Sequence, residues 1–312
     1  MIDTKLLLIS HVADEDGITP VILANGVYKE VDTILINPGE VDDALKENID
    51  KYDLIHITDL SISENLAKQI EENDEYKNKI KIFDHHATAL YLNNYSFAKV
   101  VVEENNYKQC GTTLYYNYLL TISDSILLRK QVTKEFINVV RLVDTYDFKK
   151  EEDKEALNLD YLFAILGREN YIEYFTNYLK NNDKFEYNEQ EKLLIKLEKD
   201  RVDNYIKQKE KEIIFANIEN HDVAIVYAES NRSSLGHYLI EKYDIDFAII
   251  INISKGISYR GNDKVDLSLF AKKYNGGGHK NASGSPLPKD IQKEITKKLF
   301  KKVIFKGDDN NE

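Results

Sequence analysis

The sequence predicts an α/β protein with an N-terminal domain built on a parallel sheet, a helical connector and a smaller C-terminal α/β domain. Apolar runs of strand length alternate with helical patterns through the N-terminal part, which is typical of βαβ units. A similar alternation begins again after a charge-rich helical stretch. The predicted boundaries are 1–149 for the first domain, 150–215 for the connector, 216–306 for the second domain and 307–312 for a flexible tail.

Five strands are predicted in the N-terminal domain. The run KLLLIS at 5–10 is almost entirely apolar, which indicates a strand buried on both faces. Pro20 suits the first turn of a helix that Thr19 could cap. The other predicted strands are 32–36, 53–57, 79–83 and 98–102, and the other predicted helices are 41–49, 63–73, 111–128 and one from Thr133 that ends near Asp144.

The connector and the C-terminal domain are predicted in the same way. Helices are expected at 155–166, at 171–179 and from 189 to about 215. A hairpin is expected across 254–256, because a short polar turn with a glycine separates two apolar runs. The remaining predicted elements are strands at 222–228, 247–253 and 256–260 and helices at 233–243, 266–274 and 289–300.

Composition limits the classes of function. Of the 312 residues, 54 are acidic and 42 are Lys or Arg, so a formal net charge of -12 argues against a protein that coats duplex nucleic acid. The apolar runs are too short to span a bilayer, and residues 1–9 do not resemble a signal peptide. Cys110 is the single cysteine, which excludes an intrachain disulfide and suits a reducing cytoplasm.

Polar residues with metal-binding capacity follow several predicted strands. Because the carboxyl ends of parallel strands meet at one edge of a sheet, Asp14 and Asp16, Asp59 and Asp84 are expected to converge there. The sequence Asp84-His85-His86 at the end of an apolar strand is the most marked of these endings.

The residue types at this edge indicate the kind of site. His11, Asp14 and Asp16 could surround one point if their segment is a loop. Adding Asp59, His85 and Asp144 gives six nitrogen or oxygen ligands, enough for two cations that share a bridging carboxylate and clamp a phosphoryl oxygen. Imidazoles and carboxylates without thiolates favour manganese, magnesium or iron over structural zinc.

Each of these residues also has an ordinary structural explanation. Asp59 alone could be a capping or turn residue, and His11 a hydrogen-bonded loop histidine. Asp144 could simply end a helix. A carboxylate is unfavourable near the C-terminal end of a helix dipole, which favours a role as a metal ligand. Asp147 is the alternative ligand. His56, within an apolar strand, is interpreted as structural.

A second candidate site lies near the C-terminus. Gly276, Gly277 and Gly278 could let the backbone approach a phosphate, and their N–H groups could form an anion-binding nest. His279, Lys280 and Arg260 add charge and bidentate recognition, although a flexible turn explains the glycines equally well. The segment 231–234 precedes a helix and is a further candidate for phosphate binding.

With these residues laid out, the chain resembles the DHH phosphoesterase superfamily over nearly its whole length. The matching pieces are the segments 11–17, 84–86 and 276–279, together with Asp59 and Asp144. The resemblance implies a hydrolase that uses two divalent cations, with manganese favoured and magnesium or cobalt as alternatives. It also implies an active-site cleft between the two domains.

Carried over by position, the resemblance implies a role for each residue. Asp84 would orient His85, and His86 would meet the phosphate or the leaving oxygen. Arg260 and His279 would bind substrate phosphate, beside the glycine run and Lys280. The first cation would be bound by His11, Asp14 and Asp59, and the second by Asp16, Asp59, His85 and Asp144.

Within the superfamily, the chain is similar to the oligoribonuclease and small phosphodiesterase branch, but it departs from its relatives at Thr19-Pro20 and in the long connector. The hypothesis is that it is a cytoplasmic exonuclease that releases mononucleotides from short RNA or DNA. The alternatives are a phosphatase of bis-phosphorylated nucleosides, a cyclic nucleotide or cyclic dinucleotide phosphodiesterase, an inorganic pyrophosphatase and a non-catalytic nucleotide sensor. Membranes are not expected as partners, and the oligomeric state is left open, with a homodimer as one option.

Overall fold

A computed structural model describes residues 1–149, 153, 155–300, 302, 303 and 305. The chain divides into two compact units, Met1–Lys199 and Asp200–Glu312. The predicted tail at 307–312 and Lys150, where the predicted connector begins, lie outside the described residues. The predicted domain boundaries stay predictions. In the described part of the chain, no helix has both the length and the apolar character needed to cross a membrane.

The first unit is built on a five-stranded parallel sheet, as predicted. Its strand order is β2-β1-β3-β4-β5, and every neighbouring pair runs parallel. All five carboxyl ends therefore lie at the same edge. The strands are β1 (Leu6–His11), β2 (Val31–Ile36), β3 (Leu54–Thr58), β4 (Ile80–Asp84) and β5 (Ala98–Val100).

Helices cover both faces of this sheet, which explains why β1 is apolar at almost every position. Leu7 and Ile9 point into one core layer, and Leu6 and Leu8 point into the opposite layer. The helices of the unit are α1 (Glu15–Asn25), α2 (Val41–Asn48), α3 (Glu64–Glu71), α4 (Asp74–Lys79), α5 (Gly111–Ile122), α6 (Ile126–Arg129), α7 (Gln131–Thr145), α8 (Asn158–Asn181) and α9 (Glu189–Lys209, which runs on into the second unit). Helices α2 and α3 pack on the first layer, whereas α1 and α5 pack on the second.

The helices of the predicted connector pack against α7 and α1. Phe136 of α7 stacks on Phe175 of α8 with ring centroids 4.5 Å apart, and Tyr171 lies against both rings. Helix α8 is kinked at Gly167, where φ is 68°, so it consists of two helical segments, as the sequence suggested. A buried layer that includes these aromatic rings thus holds α8 against the rest of the first unit.

Three predicted helix boundaries are wrong. The helix predicted over 111–128 ends at Ile122, and a separate helix follows at Ile126–Arg129. Helix α1 begins at Glu15, not near Thr19, because Asp14 caps it by accepting a hydrogen bond from the Gly17 N–H. The helix predicted to reach about residue 215 ends at Lys209, and Ile214–Ile218 forms a strand instead. The two-residue strands β6 (Glu103–Glu104) and β7 (Tyr107–Lys108), which pair as a hairpin, and helix α4 were not predicted.

The second unit is a six-stranded mixed sheet with order β12-β13-β11-β10-β9-β8. Strands β9 and β10 are parallel and the other pairs are antiparallel, including the predicted hairpin between β10 and β11. Phe247, Tyr259 and Phe270 form its buried core. Its elements are β8 (Ile214–Ile218), β9 (His221–Tyr227), α10 (Arg232–Lys242), β10 (Phe247–Asn252), β11 (Gly256–Gly261), α11 (Leu267–Lys272), β12 (Gly277–Gly278), β13 (Ala282–Ser285) and α12 (Ile291–Leu299).

We expect Phe136→Ala to lower the free energy of unfolding of the first unit by about 3–5 kcal/mol, because it opens a cavity among stacked rings. Urea unfolding followed by circular dichroism measures this change. Leu193→Ala is the matched control on α9, since this side chain is 57% exposed and its loss should cost less than about 0.5 kcal/mol. Equal effects of the two changes would show that α8 is not packed on α7.

Candidate metal centre

The structure brings the predicted N-terminal ligand residues together at the carboxyl edge of the parallel sheet. His11 ends β1, Asp59 follows β3, and Asp84 ends β4. Their ligand atoms fall into overlapping groups, with the atoms within each group no more than 4.8 Å apart. The groups are His11, Asp14 and Asp59; Asp16, His85 and Asp144; and Asp59, Asp84, His85 and His86.

Asp59 occupies the centre of this arrangement. Its Oδ2 lies 3.3 Å from Nδ1 of His11, and its Oδ1 lies 3.2 Å from Nε2 of His85. The residue is buried and has a φ of 54°, a left-handed backbone conformation that is uncommon outside glycine. The two oxygens of one carboxylate thus face two different imidazoles.

The loop that the sequence suggested ends at Asp14, and Asp16 lies in the first turn of α1. Asp14 caps the helix with Oδ1 and places Oδ2 3.2 Å from Nδ1 of His11. Asp16, in the first turn of the helix, faces His85 instead, with Oδ2 3.7 Å from Nε2. The same short segment therefore supplies one carboxylate to each of two groups.

Asp16 is held by the N-terminal end of α5. Its two oxygens accept hydrogen bonds from the backbone N–H groups of Gly111 and Thr112, both at 2.7 Å. Pro20 has no N–H to donate to the Asp16 carbonyl one helical turn earlier, and the hydroxyl of Thr112 donates to that carbonyl at 2.9 Å. Pro20 is therefore accommodated inside α1 by the helix that also fixes the Asp16 carboxylate.

His85 and His86 follow β4 and have different surroundings. Nε2 of His85 lies 3.2–3.7 Å from oxygens of Asp59, Asp16 and Asp144. The Asp84 carboxylate accepts from the backbone N–H of His85 at 2.7 Å, and Nδ1 of His86 lies 2.7 Å from the same oxygen. Asp84 therefore contacts the backbone of His85 and the imidazole of His86, and the role in orienting His85 that the resemblance implied stays a prediction.

The structure separates the two aspartates that the sequence left as alternatives. Asp144 joins the group around His85, with Oδ2 3.6 Å from Nε2. Asp147 is buried and forms ion pairs with Lys108 at 3.1 Å and with Arg141 at 3.7 Å. Lys108 also donates to the carbonyl of Thr145, so the β6–β7 hairpin fixes the chain directly after Asp144.

His56 is separate from this site. It is buried, and its Nδ1 lies 2.9 Å from the hydroxyl of Tyr115 among aromatic rings. Burial lowers the pKa of His56 to about 3, so the imidazole is neutral. These contacts agree with a structural role.

The negative charge of the cluster dominates its electrostatics. Burial alone would lower the pKa of His11, but hydrogen bonds with Asp14 and Asp59 raise it to about 10. Burial raises the pKa of Asp16 to about 6, and the nearby charge of Asp59 adds to that shift. Burial opposes ionisation of Asp59, yet its contacts with His11 and His85 hold its pKa below the usual value. The positive charge of the protonated imidazoles thus offsets the negative charge of the crowded carboxylates. Divalent cations can provide the same positive charge.

The donor set fits a divalent metal ion. The groups contain imidazole nitrogens and carboxylate oxygens, which suit manganese and magnesium better than a structural zinc site with thiolates. The one cysteine, Cys110, is buried and lies at the N-terminal end of α5. The cluster could therefore hold divalent cations through His11, His85 and the aspartates around them.

The predicted C-terminal site residues lie in the second unit, on strands of its sheet and in the turns beside β12. Arg260 on β11 pairs with Ala282 on β13, and β13 pairs in turn with Gly277 and Gly278 of β12. Lys280 forms an ion pair of 3.1 Å with Asp263. The glycine run therefore includes a short strand.

Two backbone N–H groups at the glycine run, those of Gly276 and of His279 directly after it, are not available for the expected anion-binding nest. The N–H of Gly276 donates to the Ala271 carbonyl at 2.9 Å, and that of His279 donates to the Ala282 carbonyl at 2.8 Å. Side chains at Gly276 and Gly278 would collide with β13, with Cβ atoms 2.0 Å and 2.7 Å from carbonyl oxygens. Close strand packing explains these two glycines.

Sequence reasoning missed the residues that support the ligands. Gly111 and Thr112 were assigned only as a helix start, and Lys108 was not singled out. One signal was available, because Cys110 at the N-cap of α5 is not a preferred capping residue, and Asp16 instead accepts from the first N–H groups of that helix. Nothing in the pattern around Lys108 indicates its contact with Asp147.

The chain is similar in sequence to two known proteins. No family model matches the chain. It is 30% identical over 255 residues to oligoribonuclease NrnB of Bacillus subtilis, covering 80% of this chain but only 63% of that protein. It is 24% identical to a 3′,5′-cyclic-nucleotide phosphodiesterase of Helicobacter pylori, covering 89% of this chain and 92% of that protein.

A solved structure has a similar fold. The DHH domain of a protein described as a member of a ribosomal-protein family matches with a TM-score of 0.59 at 16% identity, covering 96% of this chain and 88% of that chain. The parallel sheet with histidines and aspartates at its carboxyl edge is an α/β fold similar to that of this DHH domain, and it carries a candidate metal centre. The chain resembles the DHH phosphoesterase superfamily in its motifs, and it spans 63% of the length of the oligoribonuclease that it matches.

We expect Gly111→Ala to destabilise the protein by about 1–3 kcal/mol through overpacking. A Cβ at this position would lie 2.8 Å from Cβ of Asp59 and 2.9 Å from its backbone nitrogen. Gly39→Ala is the control, because a Cβ there meets no atom within 4 Å. Thermal unfolding of both variants measures the difference, and an unchanged Gly111→Ala protein would contradict the close packing of α5 on Asp59.

Proposed function

We propose that this protein is a metal-dependent phosphodiesterase that acts as an exonuclease on short oligonucleotides and releases mononucleotides. The central observation is the Asp59 carboxylate, whose two oxygens face His11 on one side and His85 on the other. The names of the two relatives, an oligoribonuclease and a cyclic-nucleotide phosphodiesterase, support hydrolysis of a phosphodiester bond.

The proposed centre holds two divalent cations, with Asp59 as the shared ligand. The first cation would be bound by His11, Asp14 and Asp59, which form one of the observed groups. The second would be bound by Asp59 and by the group of Asp16, His85 and Asp144. When bound, such a pair lowers the pKa of water and stabilises the charge of an in-line displacement.

Manganese is the proposed metal, with magnesium and cobalt as the alternatives to compare. The donor set of imidazoles and carboxylates is compatible with all three ions. The single buried cysteine and the charge of -12 suit a cytoplasmic enzyme that acts on small substrates.

His86 and Asp84 are proposed to assist the leaving group. Asp84 is buried, and its carboxylate lies 2.7 Å from Nδ1 of His86, which fixes the imidazole ring. The side chain of His86 remains 34% exposed. Burial opposes protonation, but the Asp84 carboxylate raises the pKa of His86, so the imidazole can carry a proton. The residue would bind the phosphate or give that proton to the leaving oxygen.

Arg260 and His279 are proposed to bind substrate phosphate from the second unit, with Lys280 and the glycine run nearby. A guanidinium group offers planar, bidentate recognition of phosphate oxygens. The N–H groups of Gly276 and His279 already donate to backbone carbonyls, so the proposal assigns this binding to the side chains. Strand packing does not explain Gly277, since no atom lies within 4 Å of a Cβ built there.

Cleavage of cyclic nucleotides is the second candidate. It is favoured by the Helicobacter pylori relative, because the match covers 92% of that protein, compared with 63% of the oligoribonuclease. Both reactions break a phosphodiester bond and would use the same metal centre.

We expect a substrate panel to separate the candidates. A labelled trinucleotide, a cyclic mononucleotide, a cyclic dinucleotide, a bis-phosphorylated nucleoside and pyrophosphate should be compared with Mn²⁺ and with Mg²⁺. The proposal predicts the highest kcat/KM for the trinucleotide with Mn²⁺, with mononucleotides as products. Higher kcat/KM for a cyclic nucleotide would establish the second candidate, and turnover of pyrophosphate alone would contradict both.

We expect Asp59→Asn and Asp16→Asn to lower kcat/KM by more than about a hundredfold. Loss of a residue that only hydrogen-bonds to a metal ligand costs about 10- to 100-fold, and loss of a ligand itself should cost more. Circular dichroism should show an unchanged fold. Asp43→Asn, a change at an exposed residue of α2, is the control and should retain full activity. Wild-type rates in either site variant would refute the metal assignment.

We expect Mn²⁺ to raise the melting temperature of the metal-free protein. A cation present at about 100 times its Kd adds about 2.7 kcal/mol to the free energy of unfolding, because it binds only the folded site. Thermal unfolding after EDTA treatment and Mn²⁺ addition measures this rise without relying on activity. In Asp59→Asn the rise should be much smaller, and an equal rise would place the bound metal elsewhere.

A further inference from the structure

A short hairpin of the first unit lies at the same edge of the parallel sheet as the metal centre. Its strands β6 and β7 follow the carboxyl end of β5, which lies at that edge. The turn residues Asn105 and Asn106 have φ of 53° and 67°, and two left-handed residues form the tight turn that suits a two-residue hairpin. The N–H of Gln109 donates to the Val102 carbonyl at 2.9 Å and closes the hairpin at its base. The hairpin is therefore a defined element.

Two contacts attach this hairpin beside the metal centre. Nζ of Lys108 donates to the Thr145 carbonyl at 3.2 Å, and Thr145 directly follows Asp144. Three residues after Lys108, the N–H of Gly111 donates to Oδ2 of Asp16 at 2.7 Å. Asp144 and Asp16 belong to one group of candidate metal ligands. The hairpin thus lies next to the side of the centre that this group forms.

The hairpin carries an exposed aromatic ring. Tyr107, beside Lys108 on β7, is 54% exposed. The guanidinium group of Arg141 lies over its ring, with Cζ 5.6 Å from the ring centroid. Arg141 is buried on α7, about one helical turn before Asp144. Since Arg141 is buried, the exposed surface of the ring lies on the side away from the guanidinium group.

Arg141 is itself held in place behind this ring. Its Nε and Nη2 donate to Oδ1 of Asn138 at 3.2 Å and 3.0 Å, and its Nη1 lies 3.7 Å from Oδ2 of Asp147. Asp147 also pairs with Lys108, so one carboxylate holds both the arginine and the hairpin. A cation over the face of an aromatic ring is attracted by the negative charge of that face. The orientation of the Tyr107 ring is therefore set before a substrate arrives, which reduces the entropy lost on binding.

A fixed and exposed aromatic ring beside the proposed phosphodiesterase centre suits a nucleobase. Every base has a π-face, so stacking on an aromatic side chain adds affinity for single-stranded nucleic acid with little dependence on sequence. Such a contact needs no positive charge, and this chain has a net charge of -12 with carboxylates crowded at the site. Stacking therefore supplies affinity where electrostatic attraction to phosphates is weak.

We propose that Tyr107 stacks on the base of a nucleotide adjoining the phosphodiester that is cleaved. This inference rests on the proposed function and adds a base-binding position on the first unit, next to the metal centre. The base lies on the face of the ring that Arg141 leaves open, and Arg141 orients the ring from behind without touching the substrate. Because stacking tolerates every base, Tyr107 raises the affinity for a nucleotide at this position whatever its sequence.

The test compares a labelled trinucleotide with three forms in which one nucleotide at a time is replaced by a stable abasic residue. We expect the wild-type protein to cleave one abasic form with a kcat/KM lower by about fivefold to a hundredfold, because one stacked base is lost. In Tyr107→Ala this difference should nearly disappear, since the aromatic partner is missing for both substrates. Loss of the base and loss of the ring should thus have non-additive effects.

Three further variants complete the test. Tyr107→Phe and Tyr107→Trp keep an aromatic ring and should retain the difference between the intact and the abasic substrate. Tyr76→Ala is the matched control, because Lys79 lies over the Tyr76 ring at 5.1 Å, but α4 leads into the start of β4 at the opposite edge of the sheet. This control should leave the difference unchanged. A wild-type protein indifferent to all three abasic changes, or a Tyr107→Ala protein with the wild-type difference, would overturn the inference while the proposed function stands.

Binding separates the two proposals. If the protein cleaves none of the four oligonucleotides with Mn²⁺, the proposed function fails, and calorimetric titration with the same oligonucleotides still measures recognition of the base. Tighter binding of the intact trinucleotide than of one abasic form, lost in Tyr107→Ala and kept in Tyr107→Phe, would support the inference. Equal affinities of the wild-type protein for all four oligonucleotides would contradict it. Thermal unfolding of each variant checks that its fold is retained.

Discussion

The site depends on one constraint, the position of the Asp59 carboxylate between two imidazoles. His11 reaches one of its oxygens from the end of β1, and His85 reaches the other from the end of β4. Asp59 follows β3, the strand that lies between these two in the sheet. The strand order therefore decides that Asp59 is central, and its left-handed backbone turns the carboxylate toward both neighbours.

Helix packing turns this sheet edge into a defined site. Asp16 is anchored by the first N–H groups of α5, and Gly111 of the same helix permits close approach to Asp59. Behind Asp144, the pair of Lys108 and Asp147 fixes the end of α7. Each ligand is thus held by contacts of its own, as expected for a centre whose geometry must be set before a ligand binds.

Much of the fold could be predicted because local pattern and tertiary structure agree. The apolar run of β1 and the polar residues that follow β3 and β4 were sufficient to predict a parallel sheet with ligands at one edge. The start of α1 was placed too late because Pro20 is a common first-turn residue, and only the contact of Thr112 with the Asp16 carbonyl explains why it is tolerated later. The roles of Gly276 and Gly278 depend on β13, which no local pattern indicated.

The central claim is that Asp59 bridges two metal ions. Electron paramagnetic resonance of the protein titrated with Mn²⁺ tests it most directly, because two ions about 3.5–4 Å apart that share a carboxylate are magnetically coupled. The account predicts two bound Mn²⁺ per chain with a coupled spectrum. A spectrum of isolated Mn²⁺ at full occupancy, or a single bound ion, would contradict it.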